Sequence, residues 1–207
     1  MSITELYYKG LAKQLAKPRG LLGRIVARKL NKWNKCDYDF VIKEISNYAD
    51  SVILEIGFGN GVLLNQLAHG FDNQYFGVDI SKDMVKTAAL INREFINNGK
   101  MELYQADIEK MPFHNETFDV IYTCNTVYFW RDTEKAISEI KRVLKPNGKF
   151  MNIAATKEGF ENSPVSQYGF SKYTLTELCD MLKSIGADVE FRSIDSDDEV
   201  AVIATKN

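Results

Sequence analysis

The feature that most constrains the fold of this chain is a short apolar run that leads directly into three closely spaced glycines. The run is Val52–Ile56, and glycine occupies positions 57, 59 and 61 after it. Such a run with β-branched residues is typical of a parallel strand covered on both faces. The glycines allow a sharp turn and leave room for a ligand against the backbone. Apolar residues at helical spacing from Val62 to Gly70 then predict a helix, and this order is typical of a nucleotide-type ligand site.

Length and composition fit one domain with an N-terminal extension. The chain has 207 residues, of which 45% are hydrophobic and 26% are charged, as is usual for domains of this size. No apolar run approaches the ~18 residues of a membrane-spanning helix, and the start lacks a signal-peptide pattern. The three cysteines, at positions 36, 124 and 179, are widely spaced and odd in number. They suggest neither a disulfide framework nor a metal site, so we expect a cytoplasmic protein without a metal.

Charge is distributed unevenly along the chain. The first 35 residues contain nine Lys or Arg and one acid, Glu5, whereas the net charge of the whole chain is −2. The remaining residues therefore hold 17 basic and 27 acidic side chains, a net charge of −10. A basic arm beside an acidic body can attract an anionic substrate, a nucleic acid or a membrane surface. It can equally be a solvated helix face or dock on its own acidic body, and the sequence leaves these alternatives open.

Three short helices are predicted before residue 51. Ser2 is expected to cap the first, which ends near Pro18, and residues from Leu22 to Trp33 form an amphipathic second. Asp37 is expected to cap the third. We interpret residues 1–50 as a helical lid or extension over the mouth of the glycine site, and residues 51–207 as the domain that carries the site.

Strand and helix patterns alternate from residue 51 onward. The alternation predicts an α/β fold with three layers, αβα, in which a doubly wound, mostly parallel sheet of seven strands includes one antiparallel strand. Ligands of such sheets bind outside the carboxyl ends of the strands. The predicted strands are residues 52–56, 74–79, 101–105, 118–123 and 150–154, followed by a hairpin of 187–193 and 199–205 around a turn at 195–198.

Four polar side chains lie at or just after the carboxyl ends of predicted strands: Glu55, Asp79, Asp107 and Asn125. Asp79 lies 18 residues beyond the last glycine of the loop, about where an acid reaches a ribose from the neighbouring strand. A dinucleotide fingerprint also needs glycine at the sixth position of the loop, where this chain has Val62. Glu55 would repel a pyrophosphate, but its charge suits a ligand that carries an ammonium or sulfonium group.

With these residues the chain resembles a known family, the class I S-adenosylmethionine-dependent methyltransferases, in particular the small-molecule branch with a minimal Rossmann-like domain. The resemblance covers about residues 51–205. A glycine loop alone would be a weak signal, whereas five blocks in the family's order are specific. At Asn147 the family often has glycine, but asparagine also tolerates a turn conformation. The blocks are Leu54–Gly61, Gly77–Ser81, Ala106–Ile108, Pro112–Phe113 with Phe118–Asp119, and Arg142–Gly148.

The resemblance implies S-adenosyl-L-methionine as the cofactor and assigns its contacts to residues around the strand ends. Asp79 would accept hydrogen bonds from both ribose hydroxyls, and Asp107 would accept one from the adenine amino group. Ile80 and Met84 would pack on the adenine ring, although Met84 is about equally well explained as a core residue. The other implied contacts are Gly57, Gly59, Gly61 and Glu55 with the methionine part, the Ile108 backbone with the adenine edge, and Asn125 with the end near the transferred methyl group.

The implied reaction is methyl transfer by direct displacement, which depends on alignment of the reactants and does not require a general base. Proximity and orientation can supply roughly 7–11 kcal/mol. The catalytic residues are therefore unknown, with Asn125, Tyr128 and Trp130 as candidates. The aromatic cluster of Tyr128, Phe129 and Trp130 would hold an apolar acceptor or contact the sulfonium; the alternative is ordinary packing at a strand end.

A small molecule is expected as the methyl acceptor, and the basic arm favours an anionic one. Thr126 and Val127 follow Asn125 in place of the two prolines typical of nucleic-acid amino methyltransferases, so a nucleic-acid acceptor is not expected. Tyr7 and Tyr8 on the first helix, together with the loop 156–173, would help to select the acceptor. Either a monomer or a homodimer fits the sequence.

Two functions of other classes stay open on the sequence alone. A nicotinamide-dependent oxidoreductase would also need a glycine loop, but Val62 and Glu55 disfavour it. A non-catalytic binding protein would instead use the basic N-terminal arm to recruit nucleic acid or membrane.

Overall fold

Seven strands form one sheet in the computed structural model, which describes residues 2–156, 164–168, 174–194 and 196–207. The sheet order is β3-β2-β1-β4-β5-β7-β6, and within it β7 runs antiparallel to both of its neighbours. This confirms the predicted doubly wound α/β fold, with the switch in chain direction beside β1. The strands are β1 (Val52–Ile56), β2 (Gln74–Asp79), β3 (Met101–Gln105), β4 (Phe118–Cys124), β5 (Leu144–Ala155), β6 (Ala187–Ile194) and β7 (Ser196–Lys206).

Helices cover both faces of the sheet. One face packs on α3, α4, α5 and α6 through a buried layer that includes Leu64 and Ala88, and the other packs on α7 and α8 through Ile140 and Leu178. Both faces of β1 are therefore buried, as its apolar sequence predicts. The helices are α1 (Ile3–Ala16), α2 (Gly20–Trp33), α3 (Lys35–Ile45), α4 (Val62–Gly70), α5 (Lys82–Ile91), α6 (Arg93–Asn97), α7 (Thr133–Val143) and α8 (Leu175–Ser184), with a 3₁₀ turn at Val127–Phe129.

Side-chain caps begin several of these helices where the sequence predicts them. The hydroxyl of Ser2 accepts a hydrogen bond from the backbone of Glu5. The spacing of Thr174 and Glu177 predicts a capping box, and the two residues form a complete one. The prediction for Asp37 is wrong, because α3 already begins at Lys35 and Asp37 lies fully buried in its first turn. A carboxyl in that position faces the protein interior instead of the helix end.

Two element boundaries differ from the expected ones. The spacing of Met84, Ala88, Ile91 and Phe95 predicts a single helix after Asp79. The helix instead breaks at Asn92, whose side-chain amide donates to the carbonyl oxygens of Gly61 and Ala88 at 3.0 Å each. The bond to Gly61 connects the point where the helix breaks to the glycine loop. The turn expected before the fifth strand lies inside β5, where Asn147 has a φ of 62°.

The hairpin turn is also shorter than expected, because β7 begins at Ser196. Asp195, which the sequence places in that turn, lies outside the described residues.

The segment between α1 and α2 packs against the start of α5. The hydroxyl of Ser81 donates to the carbonyl oxygen of Pro18, and the backbone N–H of Gly20 donates to the carboxylate of Asp83 at 2.9 Å. These bonds hold the two N-terminal helices over the carboxyl ends of the strands. No helix in the described ranges is long and apolar enough to cross a bilayer.

Gly61 provides a test of the packing between the glycine loop and α5. Its φ is +74°, and a Cβ atom there would meet the Cβ of Ala88 at 2.7 Å and the side-chain nitrogen of Asn92 at 2.8 Å. Gly61→Ala should therefore lower the free energy of unfolding through backbone strain of about 1–2 kcal/mol and overpacking of about 1–3 kcal/mol. Urea denaturation measures the sum.

Gly99→Ala is the matched control for this substitution. Gly99 has a similar φ of +78°, but a Cβ atom there would meet nothing within 4 Å. It should lose only the strain of about 1–2 kcal/mol. Equal losses in the two variants would contradict the inferred contact between the loop and α5.

Candidate functional site

A cavity of about 690 Å³ opens at the carboxyl ends of β1, β2 and β4. The glycine loop and the strand ends form its floor, and inward-facing residues of α1 and α2, among them Leu11, Leu15, Ala27 and Leu30, line it from the N-terminal side. The cavity thus lies at the switch point of the sheet, where ligands of open α/β sheets bind.

Asp79 lies at the end of β2 and joins the glycine loop to the next helix. Its two carboxylate oxygens accept hydrogen bonds from the backbone N–H groups of Gly59, at 2.9 Å, and Ser81, at 2.7 Å. Burial raises the pKa of Asp79 to about 6, against the lowering effect of these two bonds. Because each oxygen has a second lone pair, the carboxylate can still accept hydrogen bonds from a ligand in the cavity.

Glu55 lies one strand away, at the end of β1, and is also buried against the cavity. The hydroxyl of Tyr122 donates to its carboxylate at 3.0 Å. Burial dominates and raises the pKa of Glu55 to about 8. A cation bound beside Glu55 would favour the ionised carboxylate, so the site electrostatically favours a positively charged ligand.

Asp107 and Ile108 line the cavity after β3. The carboxylate of Asp107 accepts hydrogen bonds from the Arg131 guanidinium at 2.7 Å and from the backbone N–H of Glu109 at 3.1 Å. Since Arg131 also pairs with Glu109 at 3.4 Å, it closes this side of the cavity. The backbone N–H of Ile108 has no partner among the described residues, which leaves a donor available at the cavity wall.

The glycine loop is open towards the cavity at its middle position. A Cβ atom at Gly59 would meet nothing within 4 Å, whereas one at Gly57 would meet the Thr126 side chain at 2.4 Å. Glycine is thus required at position 57 because a side chain there would clash with Thr126. At position 59 the absence of a side chain leaves free space above the backbone. This space is of the kind that the sequence predicts for a ligand pressed against the loop.

Asn125 lies where β4 ends, and its φ of +55° turns the chain into the cavity. Its side-chain amide donates to the carboxylate of Asp37 at 2.8 Å. Burial, followed by the neighbouring carboxyl of Glu199 on β7, raises the pKa of Asp37 to about 8. Glu199 and Asn125 both line the cavity.

Aromatic side chains form the wall beyond Asn125. The residues Tyr128, Phe129 and Trp130 all line the cavity. The indole N–H of Trp130 donates to the hydroxyl of Thr126 at 3.3 Å, and the Tyr128 hydroxyl accepts from the backbone of Ala155. These bonds fix the two rings. Burial raises the pKa of Tyr128, so its hydroxyl is neutral at physiological pH.

The structure brings together most of the predicted site residues, with three exceptions. Gly61 does not contribute to the lining and packs against Ala88 and Asn92 instead. Met84 is fully buried and does not contribute to the lining. Tyr7 is largely exposed, whereas Tyr8 lines the cavity and stacks on Tyr168 with ring centroids 6.4 Å apart. The residues that the structure brings to the lining are Glu55, Gly57, Gly59, Asp79, Ile80, Asp107, Ile108, Asn125, Tyr128 and Trp130.

Part of the loop 156–173 reaches the cavity through Pro164 and Val165. Residues 157–163 and 169–173 of this loop lie outside the described ranges.

Sequence reasoning missed the carboxyl pair of Asp37 and Glu199. A usable signal was present for Asp37, because it stands four residues before Val41 and eight before Ile45, both fully buried on α3. An acidic residue on the same face of a helix as buried apolar residues is itself buried and needs a polar partner inside the protein. The position of Glu199 beside it depends on the pairing of β5 with β7, which the local sequence does not show.

Comparisons with known proteins agree with this geometry. A family profile described as "Methyltransferase domain" matches residues 54–152. "Uncharacterized methyltransferase YdaC" of Bacillus subtilis is 29% identical over 181 residues, 86% of this chain and 91% of that protein. "Putative methyltransferase YrhH" of the same organism is 30% identical over 62% of this chain and 71% of its own length. The crystal structure of a SAM-dependent methyltransferase from Aquifex aeolicus superposes with a TM-score of 0.73 at 22% identity, covering 87% of this chain and 97% of that one.

The raised pKa of Glu55 makes a prediction about stability and pH. Glu55 is ionised above about pH 4.5 in the unfolded chain but stays neutral in the folded protein up to about pH 8. The unfolded state therefore binds fewer protons in this window, and the free energy of unfolding should fall as pH rises. Asp79 acts in the same direction at lower pH. Urea denaturation at several pH values between these limits should show a shallower decline for Glu55→Gln than for the original chain.

The control is Glu94→Gln, since Glu94 is exposed on α6. The free energy of unfolding of Glu94→Gln should decline with pH in parallel with that of the original chain. An unchanged slope in Glu55→Gln would show that Glu55 is ionised in the folded protein.

Proposed function

Because the chain belongs to the class I S-adenosylmethionine-dependent methyltransferases, we propose that it transfers a methyl group from S-adenosylmethionine to a small-molecule acceptor by direct displacement. The observation that carries the proposal is the continuity of one cavity from the acidic strand ends to the aromatic wall. A cofactor at the first end and an acceptor at the second would meet near Asn125. Alignment of this kind is what a direct displacement requires.

The cofactor half of the cavity fits S-adenosylmethionine by its chemistry. The open backbone at Gly59 leaves space for the ligand, and the spare lone pairs of Asp79 suit two ribose hydroxyls. The free N–H of Ile108 suits an acceptor nitrogen of adenine. The buried carboxyl of Glu55 suits an ammonium group. When bound, the cofactor supplies an electrophilic methyl group on a sulfonium.

Contacts to the adenine ring would come from Ile80 and Asp107. Ile80 is partly exposed and lines the cavity, so its side chain is available to pack on a flat ring. Asp107 keeps lone pairs beyond its bonds to Arg131 and Glu109 and can accept from an amino group. Met84 is the weakest of the proposed contacts, because it is fully buried.

The acceptor half lies beyond Asn125. Tyr128 and Trp130, fixed by hydrogen bonds, would hold the acceptor against the cofactor and exclude water. Glu199 lines this half of the cavity, and the oxygens of its carboxyl group can accept a hydrogen bond from a polar acceptor. We propose that residues 1–50 act as a lid, because α1 and α2 contribute inward-facing side chains to the same cavity.

The function is tested first by thermal shift. S-adenosylmethionine and its demethylated product should raise the Tm, because a ligand that binds only the folded state stabilises it. NAD should not. A rise with NAD and none with S-adenosylmethionine would favour the oxidoreductase alternative. Radiolabelled methyl transfer from S-adenosylmethionine into fractions of a small-molecule extract then tests for acceptors.

The role of Asp79 can be measured by calorimetry. Asp79→Asn removes the negative charge that would accept from the ribose, and hydrogen bonds to charged groups contribute about 1.5–3 kcal/mol each. S-adenosylhomocysteine should therefore bind at least about tenfold more weakly.

Asp180→Asn on α8 is the control, since Asp180 is exposed and does not line the cavity. The Asp180→Asn variant should bind S-adenosylhomocysteine with the affinity of the original chain. Circular dichroism and the Tm show whether Asp79→Asn remains folded, and a folded variant with unchanged affinity would remove Asp79 from the site.

A further inference from the structure

Exposed apolar side chains are concentrated on the N-terminal helices. Six of the ten large apolar side chains that are exposed among the described residues belong to α1 and α2. Three of them, Leu21, Leu22 and Ile25, lie on α2 with 75%, 58% and 45% of their surface exposed. The opposite face of α2 is buried through Val26 and Ala27. The inner face of the helix is thus packed against the protein, and its outer face exposes apolar side chains to solvent.

Basic side chains stand among these apolar ones on the outer face of α2. At 100° per residue, Leu21, Ile25, Arg28 and Lys32 follow one another along one line of the helix, and Leu22 and Lys29 lie beside it. The four cations of this face are all exposed, and none forms an ion pair with a described residue. They are Arg24, Arg28, Lys29 and Lys32.

We propose that the outer face of α2, formed by Leu21, Leu22, Ile25 and these four cations, docks in the plane of an anionic lipid membrane. Aliphatic side chains would enter the boundary of the acyl chains, and the long basic side chains would reach the head groups. The acidic remainder of the chain, with a net charge of −10, is repelled by the same surface, so the charge distribution selects this orientation.

Two other partners fit this face less well. A second copy of the chain in a two-fold interface would bring four unpaired cations of each copy together, an arrangement of like charges. A nucleic acid would match the cations but would leave three aliphatic side chains against a phosphate backbone. An anionic bilayer satisfies both the charges and the apolar surface.

Docking in this way would place the wall of the cavity that α2 forms next to the bilayer. The inner face of α2 lines the cavity through Ala27 and Leu30, and Trp33 at its end both lines the cavity and is 65% exposed. Trp33 therefore connects the outer face of α2 with the rim of the cavity. Tryptophan, with an apolar body and a polar N–H, is favoured at membrane interfaces.

Vesicle co-sedimentation of the full chain tests the docking. Binding should be strong on phosphatidylcholine vesicles that contain about one third phosphatidylglycerol, weak on pure phosphatidylcholine, and reduced by salt. Leu21→Gln/Leu22→Gln/Ile25→Gln and Arg24→Gln/Arg28→Gln/Lys29→Gln/Lys32→Gln should each bind at least about tenfold more weakly. Trp33 emission should shift to the blue on binding, and Trp33→Phe should abolish the shift.

Leu90→Gln is the matched control, because Leu90 on α5 is equally exposed, at 74%, but its neighbours one turn away, Lys86, Arg93 and Glu94, carry mixed charge. It should bind vesicles as the original chain does. The apolar variant, the cation variant and Leu90→Gln change exposed side chains outside the cavity, so their Tm and their affinity for S-adenosylhomocysteine should be unchanged. Trp33→Phe changes a residue of the cavity lining and serves only to assign the emission shift. The docking is thereby tested independently of the proposed function.

Several outcomes would overturn the proposal. Equal binding to neutral and anionic vesicles, or an equal loss in Leu90→Gln, would show that the face is not a specific docking surface. A gel shift with RNA or DNA that the cation variant loses, without vesicle binding, would assign the face to nucleic acid. A dimer in analytical ultracentrifugation that the apolar variant dissociates, without vesicle binding, would assign it to a second copy.

Discussion

The buried carboxylate of Asp79 is the interaction on which the arrangement of the site depends. It accepts from the backbone of Gly59 in the glycine loop and of Ser81 at the start of α5. The Ser81 hydroxyl then holds Pro18, between α1 and α2. One strand end is thereby connected to the loop, to the next helix and to the N-terminal helices. The walls of the cavity are held together by hydrogen bonds that a ligand at Asp79 would share.

Burial of acids at one edge of the sheet gives the cavity its electrostatic character. Burial raises the pKa of Glu55, Asp79 and Asp37, and each of these carboxyls costs free energy to ionise in the folded protein. A cationic ligand reduces that cost, whereas a pyrophosphate would increase it. This is the physical reason why the geometry favours a sulfonium cofactor over a dinucleotide, and it agrees with the family to which the chain belongs.

The two faces of α2 differ in their surroundings. The inner face packs on the protein and lines the cavity through Ala27 and Leu30. The outer face combines apolar and basic side chains without partners among the described residues. Because the cavity and the proposed docking surface share one helix, the orientation of the protein on a bilayer would also fix the orientation of the cavity.

Local sequence determined the elements and the end of the cavity at Glu55 and Asp79. Gly57, Gly59 and Gly61 permit the positive φ values that the loop adopts, and apolar runs of strand length place Glu55 and Asp79 at strand ends. Only the tertiary structure decided the other end of the cavity, at Asn125, because its groups are distant in sequence. Asn125 meets Asp37 across 88 positions, and Glu199 reaches them through the antiparallel pairing of β7. Contacts of this kind depend on which elements pack together, and neither spacing nor periodicity within one segment contains that information.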